Sequence, residues 1–206
     1  MVLRYQEFVR FKDFLLPKTD TNVLSYHIKV LLKLDIIKRH EGVYTISQNG
    51  LIYLYNLTKI DDDSPLIMCA ILLQNSDGDI LLSRQLQQPY INTLSLPTTY
   101  LGVDDTSLQT AVSRIMSDQI GLPHSVPTHV GDAYVRVSGD ASLVSATLVH
   151  VYRYNSDEVV LKTGFTWVQP HKLGSLRLMP GIESIIARSF FHDDYFFEEF
   201  DEQLLS

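Results

Sequence analysis

The stretch on which the fold turns is Leu66-Ile67-Met68-Cys69-Ala70-Ile71-Leu72-Leu73-Gln74, followed by Asn75-Ser76-Asp77-Gly78-Asp79 and then Ile80-Leu81-Leu82-Ser83-Arg84. Two apolar runs of strand length are separated by turn-forming residues, which predicts a β-hairpin. Neither run alternates with polar residues. Both faces of the hairpin are therefore expected to be covered, as in a sheet held between helices.

Working toward the C-terminus, a loop containing Pro89 and Pro97 leads to a helical stretch over about Ser107–Gln119, with Leu108, Ala111, Val112, Ile115 and Met116 as its apolar stripe. Gly121 and Pro123 end that helix. Extended runs follow at 128–137, at 143–154, and at 164–169 with Val159–Thr163 ahead of the last. A final helix is expected over about Gly181–Phe191, and residues 192–206 read as an acidic, aromatic tail. Strands interleaved with two helices predict an α/β or α+β sandwich.

Working toward the N-terminus, Asp61-Asp62-Asp63-Ser64-Pro65 reads as a linker and domain boundary. Ahead of it, Leu3, Phe8, Phe11, Phe14 and Leu15 suggest a helix over Val2–Leu16 that Pro17 stops. Thr19-Asp20-Thr21-Asn22 is rich in N-cap residues and opens a second helix to Leu34. The runs 35–40 and 43–47, split by Glu41-Gly42, predict a hairpin. Gln48-Asn49-Gly50 leads into a third helix. The expected domains are 1–60, 61–191 and the tail 192–206, and the class is α+β.

Charge separates the same two parts. Residues 1–60 carry nine Lys/Arg against five Asp/Glu, and residues 61–206 carry eight against nineteen, which together give the net charge of −7. The basic part is the one suited to phosphate. The single cysteine, Cys69, excludes an intramolecular disulfide and reads as a buried thiol in a cytoplasmic protein. No apolar run is long enough for a membrane helix, and no membrane partner is expected.

Helix, helix, hairpin and helix in this order resemble the ArsR-type winged-helix repressors, on the residues LSYHIKVLLKLDII, KRHEGVYTIS and QNGLIYL. The resemblance implies that the helix before the hairpin meets duplex DNA, in a homodimer that reads two half-sites. Thr21, Asn22, Ser25, Tyr26, His27, Lys29 and Lys33 on that helix are the candidate contacts, with Lys38, Arg39 and His40 in the wing. The alternative is a solvated basic face, or a winged helix serving as a protein-interaction module.

The second part resembles the Nudix family, whose box is G-x5-E-x7-R-E-U-x-E-E-x-G-U after a Leu-Pro-Gly-Gly loop. The matching residues are the hairpin AILLQNSDGDILLSRQ, the loop Leu96-Pro97-Thr98-Thr99, the helix exit Arg114-Ile115-Met116-Ser117-Asp118-Gln119-Ile120-Gly121-Leu122, and FTWVQPHKLGSLRL. Arg114, Gly121 and Leu122 fall on family positions, whereas the family's glutamates fall on Thr106, Ile115, Asp118 and Gln119. The resemblance implies an α/β/α sandwich. It also implies, for active members, Mg²⁺ or Mn²⁺ held by converging carboxylates for water attack on a pyrophosphate. Here Asp118 is the one carboxylate at those positions, so a catalytically degenerate domain with no cofactor is expected. Its cleft would take a nucleotide-like ligand through Arg84, Arg114, Tyr134 and Arg136, with Trp167 as a stacking candidate. His124 and His129 read as loop residues around Pro127, His150 as a strand residue, and no histidine spacing fits a zinc site.

Taken together, the two resemblances imply a DNA-binding regulator with a ligand-sensing or dimerising Nudix-like domain. Nudix-related regulators usually place their modules in the opposite order. Two alternatives stand beside this reading: a Nudix hydrolase of nucleoside diphosphate derivatives with an atypical metal site, and a non-enzymatic interaction module.

Overall fold

The computed structural model describes residues 2–15, 20–56, 65–102, 104–139, 143–159, 162–191 and 195–204. The acidic linker residues 61–64 and the helix stop at Pro17 lie outside them. The chain divides into two units, Met1–Asp62 with Gln85–Asn92, and Asp63–Arg84 with Thr93–Ser206. The sequence places one boundary near residue 60 and gives no sign that residues 85–92 return to the first unit. That return is made by Gln88 N–H, which donates to Arg4 C=O at 2.8 Å.

In the first unit, strand β1 (Val9–Arg10) is followed by helix α1 (Thr21–Lys33), strands β2 (Ile37–His40) and β3 (Val43–Ile46), and helix α2 (Gln48–Asn56). The three strands form one sheet in the order β1-β3-β2. The helix expected over Val2–Leu16 is not formed. Short 3₁₀ turns at Val2–Arg4 and Phe11–Phe14 flank β1 instead. The cause is the spacing of the residues that reach the core. Leu3 and Val9 are buried while Phe8 is exposed, which is not a helical stripe, and β-branched Val9 completes the sheet opposite Tyr44.

Asp20 caps α1 by accepting from Asn22 N–H at 2.7 Å. Ile28, Leu24, Leu31 and Leu32 turn inward onto Leu3, Val9, Ile37 and Tyr44. Glu41 and Gly42 both have positive φ, 49° and 81°, the backbone of a tight hairpin turn. Gly50 seats α2: a Cβ there would lie 2.0 Å from the Ile36 carbonyl oxygen, so only glycine permits this approach.

The second unit is built on a sheet ordered β10-β5-β4-β9-β8-β11. Its strands are β4 (Leu66–Gln74), β5 (Ile80–Arg84), β8 (Thr128–Ser138), β9 (Leu143–Asn155), β10 (Phe165–Val168) and β11 (Phe196–Gln203), with short β6 (Leu94–Ser95) on β5 and β7 (Thr98–Tyr100) on β4. β4 and β9 are parallel, and β8 and β9 antiparallel. Helix α3 (Leu108–Arg114) and the π-helical turns Ile115–Ile120 cover one face, packing Ala111, Val112, Ile115, Met116 and Ile120 on Cys69, Ile71, Leu73, Leu81 and Tyr152. Helix α4 (Ile182–Phe191) buries Ile182, Ile185 and Ile186 and lies on the other face, where a Cβ on Gly181 would come within 2.8 Å of Val135. The hairpin β4–β5 is thus covered on both sides, as its unbroken apolar runs require.

Two expectations are corrected. The composition of residues 192–206 suggests a tail, but Phe196–Gln203 is the edge strand β11, parallel to β8. Phe196 is buried, and its ring occupies the space that a side chain at Gly131 would fill, 2.3 Å from an added Cβ. The Leu96–Thr99 stretch is expected as a loop, but Thr98 and Thr99 start β7, paired with Ala70 and Cys69. Two β-branched residues favour that pairing where glycines would favour an open loop. Among the described residues, no helix is long and apolar enough to cross a membrane.

Candidate functional site

The helix that carries the box positions is braced at Arg114. Its guanidinium binds Asp105 through both nitrogens at 2.9 Å, and also donates to Thr99 Oγ1 at 3.2 Å and to Tyr100 C=O at 3.1 Å. Asp105 further accepts from Gly102 N–H at 2.7 Å, and its side chain is only 2% exposed. That backbone bond, followed by the Arg114 hydrogen bond, holds the Asp105 carboxyl below its usual range. Arg114, expected both in the box and at a ligand, therefore has both terminal nitrogens engaged in fixing the β7–α3 connection.

The remaining box positions do not converge. After Arg114 the helix widens into π turns, and Gly121, at φ 87°, closes it by donating to Met116 C=O. Ile115 is fully buried in the core. Asp118 is exposed, and its Oδ1 accepts from Ser117 Oγ at 2.6 Å. Gln119 Nε2 donates to Thr98 C=O at 2.9 Å. Thr106 is exposed, with its hydroxyl 3.4 Å from that of Thr110. A hard divalent cation needs several oxygen ligands on one side of it. One carboxylate, one engaged amide and a buried isoleucine do not fit Mg²⁺ or Mn²⁺ at this box.

The expected ligand residues are also not gathered. The ladder puts Arg84 on the same sheet face as Ile80 and Leu82, opposite to Leu81 and the α3 side. Tyr134 and Arg136 share the other face with Asp132. Arg136 pairs with Asp201 across β8–β11 at 3.6 Å, and both are well exposed, so the pair contributes little stability. Trp167 packs against the core beneath α3 rather than standing free to stack on a base.

What the sheet does bring together is His129, Asp132, His150 and Tyr195. Asp132 Oδ1 is 2.9 Å from His129 Nε2 and 2.6 Å from His150 Nδ1, and its Oδ2 accepts from the Tyr195 hydroxyl. His129 stacks on Tyr152 at 4.7 Å and meets Tyr195 edge-on at 5.3 Å. Burial raises the Asp132 pKa, but hydrogen bonds from Tyr195, His150 and His129 outweigh it, so the carboxyl stays below its usual range. The same bond raises the Tyr195 phenol to about 12. Below this row, burial raises the Cys69 thiol to about 11, as an inert core cysteine requires.

A β-bulge makes the cluster possible. His129 pairs with Tyr152 but Gly131 pairs with Val151, so Val130 is the extra residue. Residues three apart on a regular strand point to opposite faces; the bulge puts His129 and Asp132 on one. His129 thus belongs to β8, not to the loop around Pro127. No spacing rule links residues 129, 132, 150 and 195. Among the described residues, recesses of about 430 and 360 Å³ lie at the β4–β5 turn and beside α4, and neither of these borders the box or this cluster.

No protein-family model matches the sequence, and no curated protein matches it either. Solved structures do match. The MutT protein of Bacillus halodurans superposes with a TM-score of 0.54 at 15% identity, over 68% of this chain and 95% of that one. The Nudix domain of Shewanella oneidensis NrtR, complexed with ADP ribose, gives 0.52 at 16% identity over 66% and 97%. A bifunctional NMN adenylyltransferase/ADP ribose pyrophosphatase of Francisella tularensis gives 0.53 at 18% over 84% and 52%. The larger unit has the Nudix fold. Identities this low carry the fold and leave the activity to the residues themselves, and in this Nudix-fold unit the box positions are occupied by a buried isoleucine, a lone aspartate and a glutamine bound to the backbone.

Proposed function

We propose that this chain is a DNA-binding regulator whose Nudix-fold unit holds a nucleotide-type ligand rather than hydrolysing it. The observation that carries the reading is the surface of the first unit. Thr21, Asn22, Tyr26, His27, Lys29 and Lys33 are exposed along α1, and Lys38, Arg39 and His40 are exposed on the adjoining strand β2. Ser25 alone among the expected contacts is half-buried, its hydroxyl donating to Thr21 C=O at 2.7 Å. A capped helix with polar groups at its start and lysines further along suits base edges and phosphates, respectively. The order β1-β3-β2 with α1 before the hairpin supports the winged-helix reading of this unit. A homodimer presenting two copies of α1 would raise the affinity that a single modestly basic unit gives.

The non-converging box argues against the hydrolase reading. The ADP ribose bound by the NrtR Nudix domain makes that compound the first ligand to try.

The test is selection of duplexes from a random pool by the full-length protein across a salt series. Enrichment of a two-fold symmetric site is expected. Replacing Lys29, Lys33 and Arg39 by alanine is expected to weaken binding for all sequences. It should also lower the salt slope by about one for each of the three side chains that meets a phosphate. A folded protein that retains no duplex at low salt would overturn the reading in favour of an interaction module.

A further inference from the structure

We propose that His129, Asp132 and His150 form a binding site for a zinc-class divalent transition metal on the sheet face of the Nudix-fold unit. The site does not depend on the DNA-binding reading, and it shares no residue with the box.

The ligand atoms are already assembled. His129 Nε2, Asp132 Oδ1 and His150 Nδ1 all lie within 4.8 Å of one another, and they form the one such His/Cys/Asp/Glu group among the described residues. A tetrahedral ion with bonds of about 2.0–2.2 Å sets its donors about 3.3–3.5 Å apart. The present separations across Asp132 Oδ1, 2.9 and 2.6 Å, need only a modest opening of the side chains. Two imidazoles and a carboxylate select zinc and its neighbours over Mg²⁺ and Ca²⁺, which prefer all-oxygen sites. His129 Nε2 and His150 Nδ1 are the ring nitrogens that face the carboxylate. As ligands, these two nitrogens would present lone pairs to the ion, with any ring proton on the other nitrogen of each imidazole.

The supporting features are built for such a role. The bulge at Val130 brings His129 onto the face of Asp132 and His150. Tyr195 holds Oδ2, which leaves Oδ1 aimed at the two rings, as an orienting partner of a ligating carboxylate does. The side chains are 32%, 17% and 14% exposed, so an ion can enter from solvent. Three protein donors leave a further position for water or for an anionic oxygen of a bound molecule.

The experiment is titration of metal-free full-length protein with Co²⁺, followed by visible absorption, and displacement by Zn²⁺ against a chelator. One equivalent and the intense bands of a four-coordinate ion are expected. His129→Ala and His150→Ala should each lower affinity by about 100-fold or more, Tyr195→Phe by about 10-fold, and exposed His171→Ala not at all. The ring signals of His129 and His150 in the unaltered protein provide a readout that needs no variant, and both should shift on one equivalent of Zn²⁺. Absence of saturable uptake at micromolar ion, uptake that survives both histidine replacements, or ring signals that stay in place would overturn the site.

Discussion

Arg114 and Asp105 show how one residue pair decides what a helix can do. The Arg114 guanidinium is bound to Asp105, Thr99 and Tyr100, so it fixes the start of α3. The Gly102 N–H and Arg114 depress the folded pKa of Asp105 below its unfolded value. Its contribution to stability is therefore fully present above the ordinary carboxylate pKa of about 3.9 and is lost as pH falls through the lower, folded value. Chemical denaturation of the protein and of Asp105→Asn from pH 7 down to pH 2.5 checks this. The native protein should be the more stable at neutral pH, and the gap should close toward the acid end. A gap independent of pH would mean that the carboxylate charge is not what Arg114 recognises. At this scale the sequence singles out Arg114, since its spacing from Gly121 and Leu122 is local. It does not name Asp105 as the partner, because a cap and an ion-pair partner look alike in a string of residues.

Elements are legible where a hydrophobic period survives. α1, the β2–β3 hairpin, β4 and β5, β8 and β9, and α4 all lie close to where their patterns put them. Three are not. β1 is two residues long and takes its identity from its pairing with β3. β7 depends on the open edge of β4, and β11 on that of β8. The acidic run Phe196–Gln203 buries only Phe196, and its ladder to β8 supplies what its composition lacks. The packing of Phe196 over Gly131 is the contact that fixes this edge. Gly131→Ala should destabilise the protein by about 1–3 kcal/mol through overpacking, and Phe196→Ala by about 3–4 kcal/mol through the void it leaves. Combining Gly131→Ala with Phe196→Leu should recover part of the first loss, because the smaller side chain gives the new methyl room. Unfolding midpoints of these variants and of Phe196→Leu alone decide it, and strictly additive losses would show that the two residues do not compete for one space.

At the scale of the whole molecule, the net charge is positive over residues 1–60 and negative over 61–206, so the proposed phosphate contacts fall to the first unit. A regulator of this kind needs the two to be coupled. Saturating ADP-ribose should change the affinity for a selected duplex by about fivefold or more, and the duplex should change ADP-ribose affinity by the same factor. Fluorescence anisotropy of labelled DNA with and without the nucleotide measures the first, and calorimetry the second. Binding of both with no mutual effect would leave two independent modules and remove the sensing arm of the proposal.

The sequence by itself determined the periodic elements, the basic and acidic parts, and the erosion of the box, because each of these is written in neighbouring residues or in composition. The tertiary structure alone decided which distant residues meet. Asp132 and Tyr195 are 63 positions apart and share a hydrogen bond, and His129 joins them only through a one-residue bulge in β8. Strand register and bulges follow from the fit of the whole sheet between its helices, so no local pattern along the chain could have announced that cluster.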